Sequence, residues 1–136
     1  MIVPLLLCFL LSQCHGWLVK QETASYLPGG WRPMQLDTRK VAELAKFVEH
    51  KVNELNDDFY WIRVTEVKNA VTQVVNGFNY RITLIIEPTG CLKEENFETC
   101  TTPPLEDMKV EQCTFFLEET IPAFSLVMLA KSCVDV

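Results

Sequence analysis

Few residues of this 136-residue chain could do chemistry. Histidine occurs at His15 and His50, and cysteine at Cys8, Cys14, Cys91, Cys100, Cys113 and Cys133. Adjacent carboxylates stand at Asp57-Asp58, Glu94-Glu95 and Glu118-Glu119. Nucleophilic catalysis needs a nucleophile beside a base, and no Gly-x-Ser-x-Gly elbow or phosphate-cradling glycine loop is present. Neighbouring carboxylates point to opposite faces of a strand and are solvated in loops, so they do not converge on one reacting atom. The Cys-x2-Cys spacing of a zinc knuckle is absent, and His50 alone cannot anchor a metal when the thiols are oxidised. The expectation is therefore no enzyme, no metal and no cofactor.

The chain opens with MIVPLLLCFLLSQCHG, an apolar run followed by a polar break and small residues around His15. It has the form of a secretory signal peptide over residues 1–16, removed after Gly16, and is too short to cross a bilayer. Residues 17–136 then form one domain with one core, expected to be secreted. Cys91, Cys100, Cys113 and Cys133 remain in it, which in a short secreted chain means two disulfides. The net charge of −6, with no basic stripe anywhere, argues against nucleic acid and anionic membrane as partners. No Asn-x-Ser/Thr site occurs, so no N-linked glycan is expected.

Residues Trp17 to Pro33 read as an extended arm, because Pro28-Gly29-Gly30 and Pro33 disfavour helix. A helix follows, with Asp37 as N-cap and Val41, Leu44, Ala45, Val48, Val52 and Leu55 on one face. Arg39, Lys40, Glu43, Lys46, Glu49, His50 and Asn53 are assigned to the watery face, and Asn56-Asp57-Asp58 ends the helix. From Phe59 to Val75 the chain is β-like with irregular alternation, which suggests a bulge. Phe78, Tyr80, Ile82, Leu84 and Ile86 follow the period-two pattern of a strand with one buried face, and Pro88-Thr89-Gly90 is expected to stop it. After a polar loop from Cys91 to Met108, Val110–Thr120 and Ser125–Cys133 form two more strands around Pro122-Ala123-Phe124. The fold class is α+β, one helix over an antiparallel meander. In that order the short polar loop favours a Cys91–Cys100 bridge, leaving Cys113 and Cys133 to tie the last two strands.

Apolar residues stand at three places where a chain reversal is normally polar. They are the arm around Leu27-Pro28-Gly29-Gly30-Trp31, the tip Val74-Val75 before Asn76-Gly77, and the turn Pro122-Ala123-Phe124. In a meander the two hairpins fall at the same end of the sheet, and the arm reaches that end if it pairs there. Three apolar prongs at one end make a wedge that fits a groove.

Pro28-Gly29-Gly30, then Gln73-Val74-Val75-Asn76-Gly77 as Gln-x-Val-x-Gly before Phe78-Asn79-Tyr80, then four late cysteines: in this order the chain resembles a secreted type 2 cystatin. The resemblance covers about Leu27 to Val136. It implies a long helix across a wrapped antiparallel sheet of about five strands, with disulfides Cys91–Cys100 and Cys113–Cys133. It also implies reversible, tight-binding inhibition of papain-like cysteine proteases of the cathepsin type by a monomer. Leu27, Pro28, Gly29 and Gly30 would line the non-primed side of the cleft, and Gln73 to Gly77 the primed side. Pro122, Ala123 and Phe124 would form the second hairpin.

That second hairpin departs from the family pattern. The family usually has Pro-Trp there, and Ala123 stands at the tryptophan's place after Pro122, with one extra residue between Cys113 and the proline. Weakened binding by this hairpin is expected, with Phe124 standing in if the turn shifts by one. The alternative is a secreted immune-modulating or antimicrobial binding protein on the same scaffold. Some family members also inhibit legumain through an asparagine after the helix, and Asn56 matches that position. Opening the hairpin would relieve strain stored at its apolar tip, which is a route to swapped dimers.

Overall fold

The computed structural model describes residues 29–136. The expected leader 1–16 and the first part of the arm, including Leu27 and Pro28, lie outside the described residues.

A short strand β1 (Arg32–Pro33) leads into helix α1 (Arg39–Leu55), followed by β2 (Tyr60–Val74), β3 (Phe78–Leu92), β4 (Glu111–Thr120) and β5 (Ser125–Asp135). The strands form one five-stranded antiparallel sheet in sequence order, with α1 between β1 and β2, a long loop between β3 and β4, and short turns at the other two connections. Among the described residues, no helix is long and apolar enough to cross a membrane.

The helix starts one residue later than the sequence suggested. Thr38, not Asp37, is the N-cap, with extended backbone angles and an Oγ1 that accepts from the Val41 amide at 3.4 Å. Val41, Leu44, Val48 and Val52 are buried against Ile62, Ala70, Ile82, Leu84, Phe115 and Leu117 on the inner face of the sheet. Leu55, assigned to the buried face, is 68% exposed, because the helix has by then run past the core.

Three residues assigned to water are not free in it. Asn53 is buried and makes two bonds to one residue of β2: its Nδ2 donates to Ile62 O at 3.1 Å and its Oδ1 accepts from Ile62 N at 2.8 Å. Glu49 Oε2 accepts from Val64 N at 2.8 Å, and Lys40 reaches inward to Glu119. The register of β2 against β3 shifts between Tyr60 and Ile62 and again between Val64 and Glu66. At such irregularities a strand lacks ladder partners, and the helix side chains supply them. The irregular alternation in the sequence thus marks where the sheet bends around the helix.

Strand β3 does not stop at Pro88. It continues to Leu92, with Ile62 opposite Pro88 and Tyr60 opposite Leu92. Pairing with β4 has ended at Ile86, so Pro88 lies where β3 has become an edge, and a missing N–H is tolerated there. Gly90 follows for a steric reason, since a Cβ would run into the Pro103 carbonyl of the docked loop. Disulfides join Cys91 to Cys100 and Cys113 to Cys133, the second between directly opposed residues of β4 and β5. Closing loops of this length contributes ~3 kcal/mol each in the chain-entropy model.

Candidate functional site

The pairing registers bring the prongs to one end of the sheet. Val74 is opposite Phe78, Phe78 opposite Glu119, and Glu119 opposite Leu126, while Arg32 of the arm pairs with Thr72. The arm, the β2–β3 turn and the β4–β5 turn therefore share a pole.

The first turn is one residue longer than the Asn-Gly signal implied. Val74 and Phe78 close it, and Val75, Asn76 and Gly77 form the loop, with Val75 N donating to Gly77 O at 3.2 Å. Asn76 takes a left-handed φ of 51°, within reach of asparagine, and Gly77 takes a φ of 128°, which only glycine adopts without strain. A Cβ on Gly77 would also lie 2.6 Å from the Glu119 carbonyl oxygen, so the first hairpin rests directly on the backbone of β4. The geometry leaves Val74 58% and Val75 47% exposed.

Gln73 connects this tip to the arm. Its Nε2 donates to Gly29 O at 2.6 Å, and its Oε1 accepts from Asn79 Nδ2 at 3.4 Å. Gly29, at a positive φ of 79°, lies with its Cα hydrogen face toward Val75, where an added Cβ would stand 3.8 Å from Val75 Cγ2. The arm glycine and the valine tip thus form one continuous edge. Gly30 is half-buried beside them, and Trp31 carries the Arg81 guanidinium 5.3 Å above its ring.

The second turn projects Ile121, Pro122, Ala123 and Phe124 into solvent. Phe124 is 64% exposed and has a φ of 50°, an outlier for an aromatic residue. Ile121, which the sequence did not single out, is 52% exposed and extends the apolar surface of this turn. Its only sequence signal is an apolar residue directly before the proline.

Beneath both turns lies a network that the sequence did not reveal. Glu119 Oε2 pairs with Lys40 Nζ at 2.6 Å, and Tyr80 OH donates to Glu119 Oε1 at 3.1 Å. Burial, followed by the adjacent Glu119 carboxylate, pushes the Tyr80 hydroxyl well above the usual phenol range, so it stays a donor.

Asn56 sits at the opposite pole as the C-cap of α1. Lys93 Nζ donates to Asn56 Oδ1 at 2.8 Å and Asn56 O at 2.9 Å, and the Asp58 amide donates to the same Oδ1 at 3.0 Å. Glu111, Cys113 and Cys133 form the one grouping of metal-ligand type among the described residues, but its two sulfurs are bonded to each other.

Residues 29–121 match the family model of the cystatin domain. The chain belongs to the cystatin family. Cystatin-1 of Chilobrachys guangxiensis is 30% identical over 96 residues, covering 68% of this chain and 70% of that one. Cystatin-S of Rattus norvegicus is 29% identical over 109 residues, covering 77% and 76%. The crystal structure of Al-CPI superposes with a TM-score of 0.70 at 26% identity, over 79% of this chain and all of that one. The salivary cystatin of the soft tick Ornithodoros moubata shares the fold, with a TM-score of 0.64 at 24% identity over 79% and 99%. The helix, five strands and two disulfides are those of a type 2 cystatin, whose general role is cysteine protease inhibition and not catalysis. The cystatin-domain match ends at Ile121, immediately before Pro122.

Proposed function

We propose that this cystatin is a secreted, reversible, tight-binding inhibitor of papain-like cysteine proteases of the cathepsin type, acting as a monomer. The observation that carries the proposal is the Gln73–Gly29 bond, which joins the arm to the exposed Val74-Val75 tip. Such an edge can lie across a cleft on both sides of a catalytic cysteine. Gly29 turns the chain away from the nucleophile, and no carbonyl is offered for attack. Burying Val74 and Val75 contributes about 1.5–3 kcal/mol each as an upper estimate. The turn is already ordered, which lowers what binding costs in entropy. Leu27 and Pro28, which precede Gly29 in the sequence, would meet the non-primed subsites, and Pro122, Ala123 and Phe124 add a weaker third contact.

Refolded residues 17–136 titrated into papain should inhibit with one-to-one stoichiometry. Silence at high excess would leave a non-inhibitory secreted binding protein, and turnover of substrate by the chain itself would make it an enzyme.

A second proposal concerns legumain. Asn56 stands at the pole away from the wedge, so both proteases could be held at once. Its oxygen is already bonded to Lys93 and the Asp58 amide, and engagement exchanges those bonds for the protease's. Asn56→Ala should remove legumain inhibition and leave papain inhibition unchanged; legumain inhibition that survives the substitution ends this proposal.

A further inference from the structure

Glu119 is an acid that the solvent-facing end of the molecule keeps inside. It is 5% exposed, although it lies one residue from the end of β4 and two from the exposed Ile121. Both carboxylate oxygens are used, one by Lys40 in the first turn of α1 and the other by Tyr80 of β3. Lys40 Nζ also lies 5.3 Å from the centre of the Tyr80 ring. The backbone of the same residue carries the first hairpin, since its carbonyl oxygen occupies the space a Cβ on Gly77 would need. Glu119 therefore meets the helix, β3 and the first hairpin, and it leads into the second.

Glu119 is buried while the Lys40 side chain stays partly in water, and such a pair is a poor source of stability, because taking the carboxylate out of water offsets much of what the attraction returns. An apolar side chain at position 119 would serve a simple core at least as well. What the carboxylate adds is direction: two bonds from fixed elements leave β4 one way to sit at the point where it enters the second turn.

We infer that Glu119 is a positioning residue for protease binding, holding the second hairpin at a fixed offset from the first so that both enter one cleft together. This rests on the reading that both hairpins engage the protease. It adds that the weak Pro122-Ala123-Phe124 turn contributes only while Glu119 holds it in place.

The test uses Glu119→Gln, which keeps the shape and removes the charge, with amide hydrogen exchange of the free protein as the first readout. Exchange should quicken at residues 75–77 and 120–125 while Ile82 and Leu84 keep their wild-type rates. Unchanged turn amides, or acceleration spread through Ile82 and Leu84, overturns the inference whatever papain does. The second readout is dissociation from papain, expected to quicken on the order of tenfold as preorganisation is lost. In a Phe124→Ala background the same Glu119→Gln change should have little effect; an equal effect there overturns action through the second hairpin. Wild-type protein that fails to inhibit papain defeats the inhibitor proposal, and the exchange data still decide the role of Glu119. If Glu119→Gln does not fold, Tyr80→Phe removes one of the two bonds and is read in the same way.

Discussion

Val75→Asp should abolish papain inhibition, weakening it by roughly 10²- to 10⁴-fold, while the melting temperature stays within a few degrees of wild type. Val75 is 47% exposed as the first residue of the first turn, so a carboxylate there remains in water in the free protein. In the complex it would be buried in an apolar groove. The loss combines the valine's own burial, about 1.5–3 kcal/mol, with the cost of desolvating an unpaired charge. Inhibition assays and thermal melts on the same preparation check this. A variant that unfolds would make Val75 a core residue, and one that still inhibits tightly would remove the tip from the interface.

Gly77→Ala should have the second-largest effect, and for a different reason. The new methyl meets the Glu119 carbonyl oxygen at 2.6 Å, and the partner is backbone of a paired strand that cannot step aside. The φ of 128° adds strain of roughly 1–3 kcal/mol for any L side chain. The tip must move or β4 must yield, so we expect destabilisation of about 2–4 kcal/mol in denaturant titration and at least tenfold weaker inhibition. Wild-type stability and affinity in Gly77→Ala would mean that the two hairpins do not rest on each other.

The elements that carried the wedge were legible because each is a local signal. Gln73 to Gly77 shows a turn dipeptide beside misplaced valines, Pro28-Gly29-Gly30 shows an arm, and the alternation from Phe78 onward shows a strand with one buried face. Meander topology put the two hairpins at one pole, the arm joined them on the condition that it pairs there, and the registers through Thr72, Phe78 and Glu119 bear both out. What escaped is what depends on partners far along the chain. Asn53 looks like a surface residue by helical periodicity, and only the shifted register of β2 gives its amide two buried bonds. Glu119 reads in the sequence as one of two adjacent strand carboxylates facing opposite ways, and only the proximity of Lys40 and Tyr80 shows that it is the inward one. Pro88 carries a strong stop signal that is overridden once β4 leaves the edge of β3. Periodicity reports which face a residue is on, not which polar atom waits across the fold.

The central claim is that the pole formed by the arm and the first turn enters the protease, with the second turn as a lesser contact. Amide hydrogen exchange of residues 17–136, free and bound to papain, tests it most directly. Slowed exchange should be strongest at residues 29–31 and 73–78, weaker at 120–125, and absent at 53–60 and 92–96. Protection centred on the Asn56 pole, or at 120–125 without any at 73–78, would contradict it.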